Sequence, residues 1–238
     1  MVTVLRRGPG YVVVVKPPGM LVHRSGFAGP DRDVLLQRVR KRVGRHVSPI
    51  HRLDRQASGI VVFSVDEPGV SAGELQRTLE AGDKRYLALV RGVVRVEHTL
   101  INRAMRDERG VEQEASSELW CRRRCAEPRC SLVEVRPFTG RYHQVRRHVR
   151  DLGHPVLGDN EHGDYRVNRE WAALGLRRLA LHAWHLDVEI GGERLRIECP
   201  LYPDLRDLVA TLRWQEPPDE VMLPSTAPLI PPRAPEDA

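Results

Sequence analysis

Long apolar runs are missing from this 238-residue chain. No unbroken aliphatic or aromatic stretch exceeds five residues, against the roughly 20 that a membrane-spanning helix needs. The N-terminus has no apolar segment of signal-peptide length, so no membrane partner and a cytoplasmic location are expected. Cysteine is scarce, and four residues build no disulfide framework at this length. Cys121, Cys125 and Cys130 cluster, with three and four residues between them. A zinc site prefers Cys-x2-Cys and a matching fourth ligand, so no metal is expected, only reduced cysteines on neighbouring strands and their turn. Lysine is scarcer still: Lys16, Lys41 and Lys84 are the only ones among 38 basic residues. The positive charge is therefore arginine, whose planar fork matches phosphate and stacks on bases.

That charge is unevenly spread. Five acids and Arg233 give residues 215–238 a net −4, so a total of +6 leaves +10 on the remainder. A basic body suits a polyanionic partner. The acidic, proline-rich 215–238 reads as a disordered tail, and 1–214 as one catalytic-sized domain, taken to be a monomer. No internal repeat is evident.

The apolar pattern predicts a strand at Tyr11–Val15 and a turn at Lys16-Pro17-Pro18-Gly19. Val34, Leu35, Val39 and Val43 follow helical spacing, predicting a helix over Asp33–Val43 stopped by Gly44. Further strands are expected at Gly59–Val65, Tyr86–Val90 and Val93–Leu100, with a helix at Ser71–Ala81 ending at Gly82. Ser117–Arg122 and Cys130–Arg136 should pair around Glu127-Pro128. His143–Leu152 reads as a helix stopped by Gly153, and 154–168 as loop. Leu179–Ile190 and Glu193–Glu198 read as a hairpin across Gly191-Gly192, and Pro203–Trp214 as the last helix. Strands and helices without regular βαβ alternation predict an α+β domain.

Three stretches could carry chemistry. In His51-Arg52-Leu53-Asp54-Arg55 a carboxylate stands between arginines ahead of a strand. Nearby positive charge favours its ionised form, which suits a nucleophile or base; a surface ion pair is the bland alternative. In Gly140-Arg141-Tyr142-His143-Gln144-Val145-Arg146-Arg147, a helix start puts His143, Arg146 and Arg147 on one face. That face could meet phosphate or a carboxylate, or simply be a solvated basic surface. In Lys84-Arg85-Tyr86-Leu87-Ala88, strand alternation puts Lys84, Tyr86 and Ala88 together, so Tyr86 stands beside a cation or is a half-buried sheet residue.

Taken in order, His51-Arg52-Leu53-Asp54 with Ser58-Gly59, Lys84-x-Tyr86, Gly140-Arg141-x-His143-Gln144-x-Arg146, Gly153-His154-Pro155 with Gly158-Asp159, and Leu181-His182-Ala183 resemble the RluA family of pseudouridine synthases. The resemblance spans about residues 4–210. It implies the fold of that family, a mixed and mostly antiparallel sheet flanked by helices around a central cleft. It also implies that the N-terminal S4-type RNA-binding module of some relatives is absent. Asp54 matches the catalytic aspartate and Arg146 the arginine paired with it. Tyr86 matches the tyrosine that packs on the base, with removal of the C5 proton as a second duty. Arg52 matches the side chain that fills the stack left by the uridine, and Leu181 the apolar pocket floor. Lys84, Arg141, His143 and Gln144 are expected to bind substrate. Where the family has Thr-Ser-Gly, this chain has Ala57-Ser58-Gly59, which removes a hydroxyl but no catalytic group.

The resemblance thus implies isomerisation of a uridine in RNA. That reaction breaks an N-glycosidic bond and forms a carbon–carbon bond with no redox step or group donor, so no cofactor is implied. Leu21-Val22-His23-Arg24-Ser25, Asp159-x-x-His162-Gly163-Asp164 and Arg166-x-Asn168-Arg169 are most similar to members acting on a T-stem uridine of tRNA. A ribosomal RNA substrate is the alternative within the class. A non-catalytic RNA-binding protein or chaperone is the alternative outside it.

Overall fold

The computed structural model describes residues 2–24, 33–67 and 71–215. The tail expected at 215–238 lies outside the described residues except for Gln215.

The chain opens with a strand that the sequence reading did not delimit, β1 (Thr3–Gly8), which turns tightly into β2 (Tyr11–Lys16). Every residue of β2 is buried. A strand covered on both faces needs no polar alternation, hence its run of valines. α1 (Leu35–Val43) buries Leu35 and Val39 and stops where Gly44 turns left-handed. β3 (Val47–Pro49) and β4 (Ser58–Val65) pair antiparallel, and the loop between them carries His51 to Asp54. α2 (Ala72–Ala81) starts with a capping box in which Ser71 and Glu74 bond each other's backbone amides.

β5 (Asp83–Arg91) is followed by β6 (His98–Asn102), by a small hairpin, β7 (Met105–Arg106) and β8 (Glu112–Gln113), and by the long pair β9 (Ser116–Cys125) and β10 (Cys130–Pro137). Two helices come next, α3 (Gln144–Asp151) and α4 (Tyr165–Ala173). The chain then forms the hairpin β11 (Leu181–Ile190) and β12 (Glu193–Glu198), α5 (Pro203–Thr211) and β13 (Trp214–Gln215).

The main sheet runs β1-β2-β4-β11-β5-β10-β9-β13, with β12, β3 and β6 added beside β11, β4 and β9. Among the described residues only β4 and β11 pair in parallel; the other pairings in it are antiparallel. This is the mixed, mostly antiparallel α+β fold expected.

Three local expectations need correction. The strand expected over Val93–Leu100 begins only at His98, because side chains claim the backbone of Val94: its N–H donates to Ser131 Oγ at 2.9 Å and its carbonyl accepts from Arg124 Nε at 2.6 Å. The loop expected over 154–168 contains the start of α4, where the Asp164 carboxylate caps the amides of Arg166 and Val167. The last helix ends at Thr211, since Trp214 pairs with Cys125 as a short sheet edge. Cys121 and Cys125 lie on β9 and Cys130 on β10, the neighbouring strands expected. All four are free and buried, and burial pushes the thiols of Cys121, Cys130 and Cys199 upward.

Candidate active site

The loop between β3 and β4 is fixed from several sides before it presents Asp54. His51 Nε2 accepts the Val62 amide at 3.1 Å. Burial, with help from Lys84, holds the His51 imidazole down to about 4, so it is a neutral anchor. The Ala57 amide closes a turn on the Asp54 carbonyl at 3.1 Å, so the hydroxyl that Ala57 lacks is not needed for that closure. Lys16 is wholly buried and donates to the carbonyls of Pro17, Met20 and Arg55 at 2.8, 2.8 and 2.9 Å. It ties the turn after β2 to the residue after Asp54. Burial, then the Arg178 charge, draws its ammonium down to about 7.

Just beyond, Ser58 and Gly59 enter the parallel contact with His182 and Ala183. A Cβ on Gly59 would collide with the Ala183 backbone, and the residue sits at φ +117°. Only glycine meets both demands. Ser58 Oγ lies 2.9 Å from His182 Nδ1 and accepts from Arg178 Nη2 at 3.2 Å.

Asp54, Tyr86, Arg146, Arg52, Lys84, Arg141, His143, Gln144 and Leu181 all line one cleft of about 730 Å³. Arg146 Nη1 donates to Asp54 Oδ2 at 3.0 Å. The rest of its guanidinium is taken by Asp159, which accepts from Nε and Nη2 at 2.7 Å each. Asp159 Oδ1 also accepts the amides of Glu161 and His162 at 3.0 Å. Burial opposes its charge, yet Arg146 and those amides hold its carboxyl below the usual range. Asp159 is the residue whose task sequence reasoning missed. Its Gly-Asp dipeptide was a signal, but nothing local named Arg146 as its partner.

Tyr86 comes from β5, opposite Ala183 on one side and Val135 on the other. Burial, reinforced by the Asp54 charge, pushes its phenol up to about 12. A neutral phenol suits packing on a base and is a poor proton acceptor at neutral pH. Leu181 is buried at the wall of the cleft and Arg52 is exposed at its edge.

His143 does not join the helix as expected. It precedes α3 in the left-handed region at φ 52°, a conformation costing about 1–2 kcal/mol for a residue with a Cβ. The kink brings its Nε2 to 3.6 Å from Asp54 Oδ1. Burial outweighs the neighbouring carboxylates and lowers its pKa.

The shared face of His143, Arg146 and Arg147 is only partly formed, because Arg147 turns to the carbonyl of Arg106. Gln144 also differs from expectation. Its amide is buried and spent within the protein, accepting from Thr139 Oγ1 and the Arg141 amide and donating to Ser116 O and Ser117 Oγ. It holds the loop before α3 rather than offering free polar atoms to substrate. Arg141 donates to Glu114 O, and Lys84 to the carbonyl of Leu79.

A negatively charged oxygen pair, held by a doubly anchored arginine in an open cleft beside a phenol, suits attack on an electron-poor carbon. The fold is shared with two human proteins of known structure. RNA Pseudouridylate Synthase Domain Containing 1 superposes with a TM-score of 0.72 over 95% of this chain and 91% of its own, at 24% identity. Domain Containing 4 gives 0.73 over 90% and 94%, at 23% identity.

In sequence, the chain is 35% identical over 203 residues to tRNA pseudouridine synthase C of Pasteurella multocida, covering 77% of this chain and 84% of the relative. It is 35% identical over 237 residues to the protein of that name from Salmonella typhimurium, covering 90% and 91%. The family description RNA pseudouridylate synthase matches residues 10–151. The chain belongs to the RNA pseudouridylate synthase family, the one that its ordered motifs resemble.

Proposed function

We propose that the protein converts a uridine of tRNA, in the T-stem, to pseudouridine, with Asp54 as the catalytic carboxylate. The observation that carries this reading is the Asp54–Arg146 contact of 3.0 Å inside the cleft. The tRNA substrate is supported by relatives bearing the name tRNA pseudouridine synthase C, matched over most of both chains.

Asp54 and Arg146 form an ion pair. Arg146 orients the carboxylate and leaves Oδ1 for the nucleotide, where it attacks the sugar, removes the C2′ proton or adds to the ring. The glycosidic bond breaks, the base turns, C5 bonds to C1′, and the C5 proton is lost as N1 gains one. Tyr86 packs on the base throughout, and Leu181 forms the apolar wall. Extruding the uridine costs on the order of a few kcal/mol, which Arg52 offsets by occupying the vacated stack. The arginine-rich body supplies phosphate contacts. A-form RNA hides its major-groove base edges, so shape and loop contacts govern selection.

The reading includes a cytoplasmic monomer, to be checked by fractionation and size-exclusion chromatography. Among the described residues no helix is long and apolar enough to cross a membrane.

The decisive test is incubation of wild type and Asp54→Asn with tRNA and ribosomal RNA transcripts, followed by site mapping. Wild type should modify one T-stem uridine of tRNA, while Asp54→Asn binds the same tRNA and leaves it unmodified. Modification of ribosomal RNA alone would overturn the tRNA assignment. Undiminished modification by Asp54→Asn would overturn the catalytic one.

A further inference from the structure

His143 and Glu161 line the cleft with His162 grouped beside them, and His143 faces Asp54. Three of their ligand-type atoms form a nearly regular triangle. His143 Nδ1 is 3.1 Å from His162 Nε2 and 3.3 Å from Glu161 Oε1, and His162 Nε2 is 3.5 Å from the same Glu161 oxygen. A tetrahedral ion holding nitrogen and oxygen ligands at about 2.0–2.1 Å sets them roughly 3.3–3.4 Å apart. The triangle already has the dimensions of one face of that tetrahedron.

The surroundings suit a dication. Asp54 and Asp159 stand near His143 and, with Glu161, set three carboxylates around the guanidinium of Arg146. Both His side chains are largely buried while Glu161 is half exposed, so solvent reaches the cluster from the Glu161 side. Arg150 Nη1, 3.5 Å from His162 Nδ1, opposes the site from outside. It is exposed and paired with Asp151, so it can move away.

With Nδ1 given to a metal, His143 keeps its proton on Nε2, which faces Asp54 Oδ1 at 3.6 Å. Carboxylate–histidine–metal chains of this kind orient and strengthen the ligand.

We propose that His143, Glu161 and His162 bind one borderline divalent cation of the Zn²⁺ type, and that the filled site restrains Asp54 and inhibits the enzyme. Two imidazoles and one carboxylate select that class over Mg²⁺ or Ca²⁺. The inhibition rests on the catalytic reading of Asp54; the binding does not.

The test is titration of the full-length protein with Co²⁺, followed by visible absorption. One equivalent should give the d–d bands of a four-coordinate ion, without thiolate charge transfer, and Zn²⁺ should abolish them. His162→Ala should lose roughly tenfold or more in Co²⁺ affinity. So should Glu161→Gln, a half-exposed change that leaves the fold intact. Absence of the bands, thiolate charge transfer, or unchanged affinity in both variants would overturn the site. In parallel, Zn²⁺ should suppress pseudouridine formation over the range in which it displaces Co²⁺. Full activity with the site loaded would overturn the inhibition alone.

Discussion

Asp159 grips Arg146 through Nε and Nη2, at 2.7 Å each, and so leaves Nη1 as the edge that faces Asp54. The guanidinium is shared between a wholly buried carboxylate and one open to the cleft. The buried partner fixes the geometry that the open one uses.

Asp159→Asn should therefore harm catalysis without touching the nucleotide. Breaking a buried pair costs about 3–5 kcal/mol of stability. A misplaced Arg146 should lower kcat on the order of 100-fold, with a smaller change in KM. Urea unfolding and steady-state kinetics on one tRNA transcript check both parts. An unchanged kcat would show that Arg146 keeps its place unaided.

Arg146→Lys keeps the charge but loses the fork. An ammonium cannot satisfy Asp159 bidentately and still reach Asp54 in line. We expect kcat to fall at least about 100-fold while tRNA binding changes little, as filter binding would report. Near-wild-type turnover would mean that charge alone suffices.

Stability should fall in acid through His182. It is wholly buried, with Nε2 3.0 Å from Cys199 O and Nδ1 facing Ser58 Oγ. Burial outweighs the bond to Cys199 and holds its pKa down to about 4, from 6.5. Between those values the unfolded chain binds the extra proton and the folded one does not. The stabilisation is complete above pH 6.5 and is lost as pH falls to about 4, on the order of 3 kcal/mol for this group. Urea midpoints from pH 7 to pH 4 measure it. The slope should flatten in His182→Gln.

Gly59→Ala tests the close approach of β4 to β11. The added methyl meets the Ala183 backbone, and φ +117° is strained for any side chain. We expect a loss of about 3 kcal/mol or more, read as a lower Tm or as insoluble protein. Wild-type stability would mean that the two strands can separate without cost.

Arg52→Ala should separate binding from folding. Arg52 is exposed at the cleft, so the fold should change by less than about 0.5 kcal/mol. Pseudouridine formation should drop roughly tenfold, the worth of about 1.4 kcal/mol of nucleotide extrusion no longer offset. A shift in Tm with unchanged activity would reverse that assignment.

Much of the local structure was legible because its causes are local. The valines of β2, the Gly191-Gly192 turn between β11 and β12, and Gly44 after α1 act through their immediate neighbours. The motif residues were legible too, as a resemblance, and the cleft gathers all nine. Two of the failures share a source in distant partners. Val94 leaves the strand pattern because Ser131 and Arg124 bind its backbone. Trp214 leaves the helix because Cys125 offers it a sheet edge. α4 had a legible cap in Asp164, hidden by the glycines and polar residues around it.

What the sequence determined by itself was most of the elements and the chemical groups available: a carboxylate, a guanidinium, a phenol and an arginine-rich exterior. What only the tertiary structure decided was their pairing. His182 and Ala183 align with Ser58 and Gly59 from far along the chain, and Arg146 meets Asp159 on one side and Asp54 on the other. Such contacts depend on which surfaces are buried together when the sheet closes. Propensity and spacing describe a segment's own backbone and carry no record of that choice.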